Sequence, residues 1–254
     1  CIVPYVRGPE KNRKPGEVLR EIEEIADSGV EIAVLSFGAI EQHGHHMPLG
    51  TDWYLGEAMA KRIGEELGAY VLPTMPFGCS REHMDCPGTI TLRPTTLAAV
   101  LEDLVESLYQ HGIRKIVMLS SHGGNWALKP FMRELNFKHK DLTLIWANGP
   151  LPERGEEVPA DIHAGKNETS RLMHVRPELV KEATEADDSP GFVGQEFVDY
   201  VGFSGATKRG AWGKPSDASS EYGQEEFEEA VRRQAEYVRW AFEKIEEINR
   251  EEDS

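Results

Sequence analysis

Four short, nearly continuous apolar runs constrain this chain most: EIAVLSFGA at 31–39, AYVLPTM at 69–75, RKIVMLSS at 114–121 and LTLIWAN at 142–148. Runs of that length suit strands buried on both faces rather than strands with one wet face. The segments between them carry apolar residues at helical spacing, over 52–67, over 95–111 and again after Asn125. A further helix is expected over 15–27, where Val18, Leu19, Ile22 and Ile25 share a side before Gly29 stops the pattern. A long amphipathic helix is expected over 221–249, with Phe227, Ala230, Val231, Ala235, Val238, Ala241 and Ile245 on one side. Helix and strand in regular alternation imply an α/β fold whose mostly parallel central sheet is covered by helices. Residues 150–162 and 186–220 read as surface loops rather than linkers, so 16–254 is expected to form a single domain after a lead-in segment at 1–15.

The charge balance narrows what such a domain can bind. Lys and Arg total 28 against 44 Asp and Glu, a formal charge of −16, which repels phosphate backbones and anionic lipid. Neither a nucleic acid nor a membrane is an expected partner. Three cysteines, Cys1, Cys79 and Cys86, cannot frame a disulfide-built domain of this size, which points to a reducing, cytoplasmic setting. The first residues lack the apolar core of a secretory signal, and no run reaches the length of a membrane span.

In an open parallel sheet, ligands bind beyond the carboxyl ends of the strands, and the unusual residues fall there. After the first run comes GAIEQHGHHMPLGTD, with Glu41, His43, His45, His46 and Asp52 in one loop. Imidazole nitrogen and carboxylate oxygen together are the donor set of borderline and hard divalent ions such as Zn²⁺ and Mn²⁺. The third run ends directly in His122-Gly123-Gly124-Asn125, and ADIHAGKNETS brings His163 and Glu168 just before or within the start of a helix. Two ions held by three such loops would leave room for a bridging hydroxide.

GAIEQHGHHMPLGTD, CPGTI at 86–90, SSHGGN, HAGKNETS and GAWGKPSDASSEYG together resemble the creatininase family of metal-dependent amidohydrolases, in that family's order, over roughly residues 16–247. The resemblance implies a three-layer α/β/α sandwich and two divalent ions per chain, Zn, Mn or Fe. It implies hydrolysis of a non-peptide or cyclic amide C–N bond by a metal-bridging hydroxide, and a homo-oligomer, often a hexamer. By position, Glu41 and His43 look like ligands to different metals, Asp52 like the bridging carboxylate and His122 like a further ligand, while His163 matches a catalytic histidine expected to deliver a proton to the leaving nitrogen.

Creatinine hydrolases carry a Glu two residues after the strand-end His, where this chain has Gly124; Glu168 is the carboxylate expected to complete the second site. Ile162 stands where that branch keeps another Glu, and no Trp precedes Asp161. The Gly-Gly form resembles formamidopyrimidine-ribotide deformylases and the peptidase of mycofactocin maturation. The expected substrate is therefore a small amide such as a formamide rather than creatinine. The alternatives are a peptidase of the mycofactocin type and a silent metabolite binder. His45 and His46 are expected beside the ligands or in solvent, and His83 either faces substrate or bonds backbone. Cys79 and Cys86 are expected to be small packed residues, and Trp212 and Tyr222 to pack rather than line a pocket. CIVPYVRGPEKNRKPGEVLREI weakly resembles a segment of radical-SAM methylthiotransferases, without that family's cluster of cysteines.

Overall fold

A computed structural model describes residues 5–6, 29–148, 161–189 and 198–252. In chain order these hold β1 (Tyr5–Val6), β2 (Ile32–Phe37), α1 (Thr51–Leu67), β3 (Tyr70–Val71), α2 (Pro94–Gln110), β4 (Lys115–Ser120), α3 (Lys129–Lys138), β5 (Thr143–Trp146), α4 (Lys166–Val175), α5 (Val198–Val201), α6 (Phe203–Ala206) and α7 (Ser220–Glu252). The helix expected over 15–27 lies outside the described residues, as does nearly all of the loop at 150–162.

The strands form one sheet in the order β1-β3-β2-β4-β5. β2, β3, β4 and β5 run parallel; β1, from the lead-in segment, pairs antiparallel with β3 at the edge. Side chains alternate between the two faces, as the strand repeat dictates. Ala33, Leu35, Phe37, Ile116, Met118 and Leu144 face Leu97, Leu101 and Val105 of α2 and Met132 and Leu135 of α3. Val34, Val71, Val117, Leu119 and Ile145 face Ala60 and Ile63 of α1 and Phe227, Val231, Val238 and Phe242 of α7. The molecule is thus an α/β/α sandwich, and burial on both faces explains why the strands are apolar without interruption.

The run at 69–75 yields only the two residues of β3. Pro73 has no N–H to give a ladder, so the chain beyond Val71 follows β2 through separate bonds, Leu72 N–H to Val34 O at 3.0 Å and Met75 N–H to Ser36 O at 2.8 Å. The 186–220 stretch carries α5 and α6 where no period was legible. One antiparallel bridge, His163 with Trp212, ties it to the body, and a second, Asp188 with Gly213, closes it on itself. From β2 the chain steps through α1 to β3 on one side, and from β4 through α3 to β5 on the other. The crevice between the carboxyl ends of β2 and β4 is therefore the switch point at which such sheets place ligands.

Candidate metal centre

The loops after β2 and β4 are pinned together by Asn125, which is fully buried. Its amide nitrogen donates to Phe37 O at 3.3 Å and Gly38 O at 3.1 Å, and its oxygen accepts from Cys79 N–H at 3.0 Å. α1 is drawn against the same strand ends: Ser121 Oγ donates to Asp52 O at 2.6 Å. A Cβ on Gly38 would lie 2.7 Å from Trp53 Cα, so the first turn of α1 rests directly on backbone, and Asp52 points into the crevice. On the far side Ala164 takes a left-handed φ of 49°, the sole non-glycine to do so among the described residues. That kink sets His163 before α4 and Glu168 in its first turn, with Ala164 N–H donating to Glu168 Oε2 at 2.6 Å.

All of the ligand positions read from sequence converge. Glu41, Asp52 and His122 offer ligand atoms within 4.8 Å of one another; so do His43, Asp52 and Glu168, and so do Glu41, His43 and His163. His122 Nδ1 lies 3.2 Å from Glu41 Oε2 and 3.7 Å from Asp52 Oδ2. His43 Nε2 lies 3.6 Å from Asp52 Oδ1 and 3.8 Å from Glu168 Oε2. Each imidazole turns its other nitrogen to a backbone carbonyl, His43 Nδ1 to Glu41 O at 3.2 Å and His122 Nε2 to Cys79 O at 2.9 Å. This is how proteins aim a metal-binding histidine. Glu41 Oε2, His43 Nε2 and Asp52 Oδ2 are buried without a hydrogen-bond partner among the described residues.

Burial alone would push the Glu41 carboxyl up, yet the charge of His122, helped by His83 and His163, holds it well below the usual range. Burial and the neighbouring Glu41 raise Asp52. Burial raises Glu168 to about 7 against the pull of His43. For His43, burial is outweighed by Asp52, Glu168 and Glu41, which lift the ring to about 10; Glu41, Asp52 and Glu82 lift His122 well above its ordinary value in the same way. Burial, then the charges of His43 and His83, press His163 well below its ordinary value, so its ring is neutral near neutral pH. The pocket gathers carboxylates and draws positive charge toward them.

Two residues beside this centre, Gln42 and Glu82, carry no expectation from sequence, and a third, His83, is the one expected to face substrate or bond backbone. His83, 3% exposed, brings Nε2 to 3.4 Å from Glu41 Oε1. Gln42, between two candidate ligands, brings its amide nitrogen to 3.1 Å from His83 Nδ1 and 3.0 Å from His163 Nε2. Glu82 Oε1 lies 3.6 Å from His122 Nε2. The only signal for His83 and Glu82 was their place in CSREHMDCPGT, just before the CPGTI motif. His45 is exposed, and His46 is buried with Nε2 3.0 Å from Thr169 Oγ1. Burial raises the thiols of Cys79 and Cys86, the latter to about 11, which suits packing rather than nucleophilic attack. Trp212 packs with Val198, Phe203 and Ala206, and Tyr222 donates to Asn167 Oδ1 at 3.0 Å.

The family profile Creatininase, creatinine amidohydrolase, matches residues 19–238. A mycofactocin precursor peptide peptidase of Mycolicibacterium smegmatis is 30% identical over 223 residues, 84% of this chain and 87% of that protein. A creatinine amidohydrolase of Pseudomonas putida is 27% identical over 248 residues, 88% of this chain and 94% of that protein. A putative creatinine amidohydrolase structure from Bacteroides fragilis superposes with a TM-score of 0.72 at 30% identity, covering 85% of this chain and 92% of that one. Solved creatininases of the same fold include a zinc–zinc form and a manganese form. A separate local match, 61% identical over 36 residues, covers 8% of a tRNA-2-methylthio-N(6)-dimethylallyladenosine synthase of Pelobacter propionicus. The fold, the strand-end site and the profile agree: the chain belongs to the creatininase family of hydrolases that act on carbon–nitrogen bonds.

Proposed function

We propose that this chain hydrolyses the C–N bond of a small polar amide, a formamide or comparable group, using two divalent ions held at the β2/β4 crevice. The carrying observation is the pair of ligand groups that share Asp52, Glu41–Asp52–His122 and His43–Asp52–Glu168. The donor set fits divalent ions: the buried Glu41 Oε2, His43 Nε2 and Asp52 Oδ2 lack hydrogen-bond partners among the described residues, and the far nitrogens of both imidazoles are fixed on carbonyls. Glu168 stands where the second group needs a carboxylate, in the role expected of it given Gly124. Bound there, the ions supply a Lewis acid for the amide carbonyl and an activated water.

His163 handles the proton in this reading. Its Nε2 donates to Gln42 O at 2.8 Å, which leaves Nδ1 bare, 3.7 Å from Glu41 Oε1. A neutral ring with a bare nitrogen facing the reaction accepts a proton first and then returns it to the leaving nitrogen. Hydrolysis of an amide needs that exchange, because water adds to the carbon while the departing nitrogen gains hydrogen.

The 30% identity to a mycofactocin precursor peptide peptidase favours a second reading, in which the amide lies in a peptide. The two are separated by assaying creatinine, a panel of formamides and short peptides with Zn²⁺ or Mn²⁺ supplied. Turnover of a formamide, with creatinine lower by about 10⁴ or more, is the result expected of a pocket whose polar groups do not match creatinine. Peptide turnover alone would move the assignment to the second reading. Efficient creatinine hydrolysis would overturn the substrate class.

A further inference from the structure

Gln42 is 8% exposed and every polar group on it is engaged. Its Oε1 accepts from Gly44 N–H at 3.0 Å, which fixes the amide so that Nε2 faces two rings, His83 Nδ1 at 3.1 Å and His163 Nε2 at 3.0 Å. His163 Nε2 already lies 2.8 Å from Gln42 O and must carry a hydrogen to use that acceptor. It has then no lone pair for the amide, so the amide hydrogen goes to His83 Nδ1. A neutral imidazole that accepts at Nδ1 carries its hydrogen at Nε2. Nε2 of His83 is the atom 3.4 Å from Glu41 Oε1. The His83 ring is held in that orientation by Phe203, stacked at 4.4 Å and 29°, and by His163 at 4.6 Å.

We propose that Gln42 and His83 form a positioning relay for Glu41: Gln42 selects the Nε2–H tautomer of His83, and that N–H engages Glu41 Oε1 so that Oε2 is presented toward Asp52 and His122. The inference rests on Glu41 serving as a metal ligand, as proposed above. Glu41 divides its two oxygens accordingly, Oε1 toward His83 and His163, Oε2 toward His122. A ligating carboxylate held by a hydrogen bond is a recurring feature of metal sites, and losing such support typically weakens metal binding by about 10–100-fold. In this relay His83 acts through Glu41, so it is a positioning residue.

Two readouts on the full chain test this. In long-range ¹H–¹⁵N spectra of the metal-free protein, His83 should show a protonated Nε2 and a bare Nδ1, and Gln42→Met should shift the ring toward the other tautomer. In titrations with Zn²⁺ or Mn²⁺, His83→Phe, which keeps an aromatic ring against Phe203, should weaken one site by about tenfold or more and leave the other within about threefold. His83→Gln, which restores an N–H, should recover part of the loss. Should His83→Phe not fold, Gln42→Met carries the same titration. A wild-type His83 protonated at Nδ1, or variants that bind both ions as wild type does, would overturn the relay. A wild-type chain that binds no divalent ion while His83 keeps the Nε2–H tautomer would overturn the metal-dependent reading and, with it, the relay's purpose, while upholding the tautomer assignment itself.

Discussion

Asp52 and Glu168 carry similar charge into the same pocket and differ in what depends on them. Asp52 belongs to two of the ligand groups and Glu168 to one. Asp52→Ala should therefore strip the protein of bound metal, while Glu168→Gln should weaken one ion much more than the other, because an amide oxygen is a poorer donor than a carboxylate. Elemental analysis of the first variant and a titration of the metal-free second variant check the pair. Two metals per chain retained by Asp52→Ala would remove the shared-ligand assignment. At this scale the convergence of side chains at the candidate site was legible in the sequence, because Glu41, His43, Asp52, His122, His163 and Glu168 all lie at strand ends or at the start of a helix that follows one. Gln42 was not, and His83 was legible only as a histidine facing substrate or bonding backbone, since a residue that aims another residue shows itself only through contacts across distant loops.

The elements hold these residues by backbone contact as much as by side chains. β2 ends at Phe37, and α1 begins at Thr51 with its first turn on Gly38. Gly38→Ala puts a methyl group into the backbone of Trp53, and overpacking of that kind costs about 1–3 kcal/mol. Because α1 must move to relieve it, Asp52 should leave its place as well. The expected result is a lower denaturation midpoint together with weaker metal binding; wild-type binding in a destabilised Gly38→Ala variant would show that the two are uncoupled. Element type was readable wherever apolar period was strong, as in α2, β4 and α7. β3 was overdrawn because AYVLPTM has strand-like side chains while Pro73 denies it a ladder. α5 and α6 were missed because helices of four residues carry too little period to register.

Across the whole molecule, the ligand groups draw on loops and helix starts from Glu41 to Glu168, so the site forms only when β2 and β4 stand side by side and α4 has docked. An ion that binds this state and not the unfolded chain stabilises it, by about 2.7 kcal/mol at a hundred times Kd. The pH dependence has a definite sign. His43 is raised to about 10 from its ordinary 6.5, so its protonation supports the metal-free fold below pH 6.5 and that support is lost as pH rises through 10. A metal must displace that proton, so its affinity increases over the same window. The gain in Tm on adding Zn²⁺ should be larger at about pH 8.5 than at about pH 6 by scanning calorimetry; an equal or smaller gain would count against His43 as a ligand.

Gly124 carries a consequence for how such a protein changes over generations. A Cβ there would run into the Cys79 carbonyl and come within 2.6 Å of His122 Nε2 and 2.9 Å of Glu82 Oε1. A glutamate at 124 and the present path of the 79–82 loop therefore exclude one another. Gly124→Glu alone breaks the loop before its carboxylate can serve, and moving the loop alone removes the carbonyl that aims His122. Any residue larger than glycine at 124 is therefore tied to a rearrangement of a segment some forty positions earlier in the chain, Cys79 to Glu82, and of the carbonyl there that holds His122.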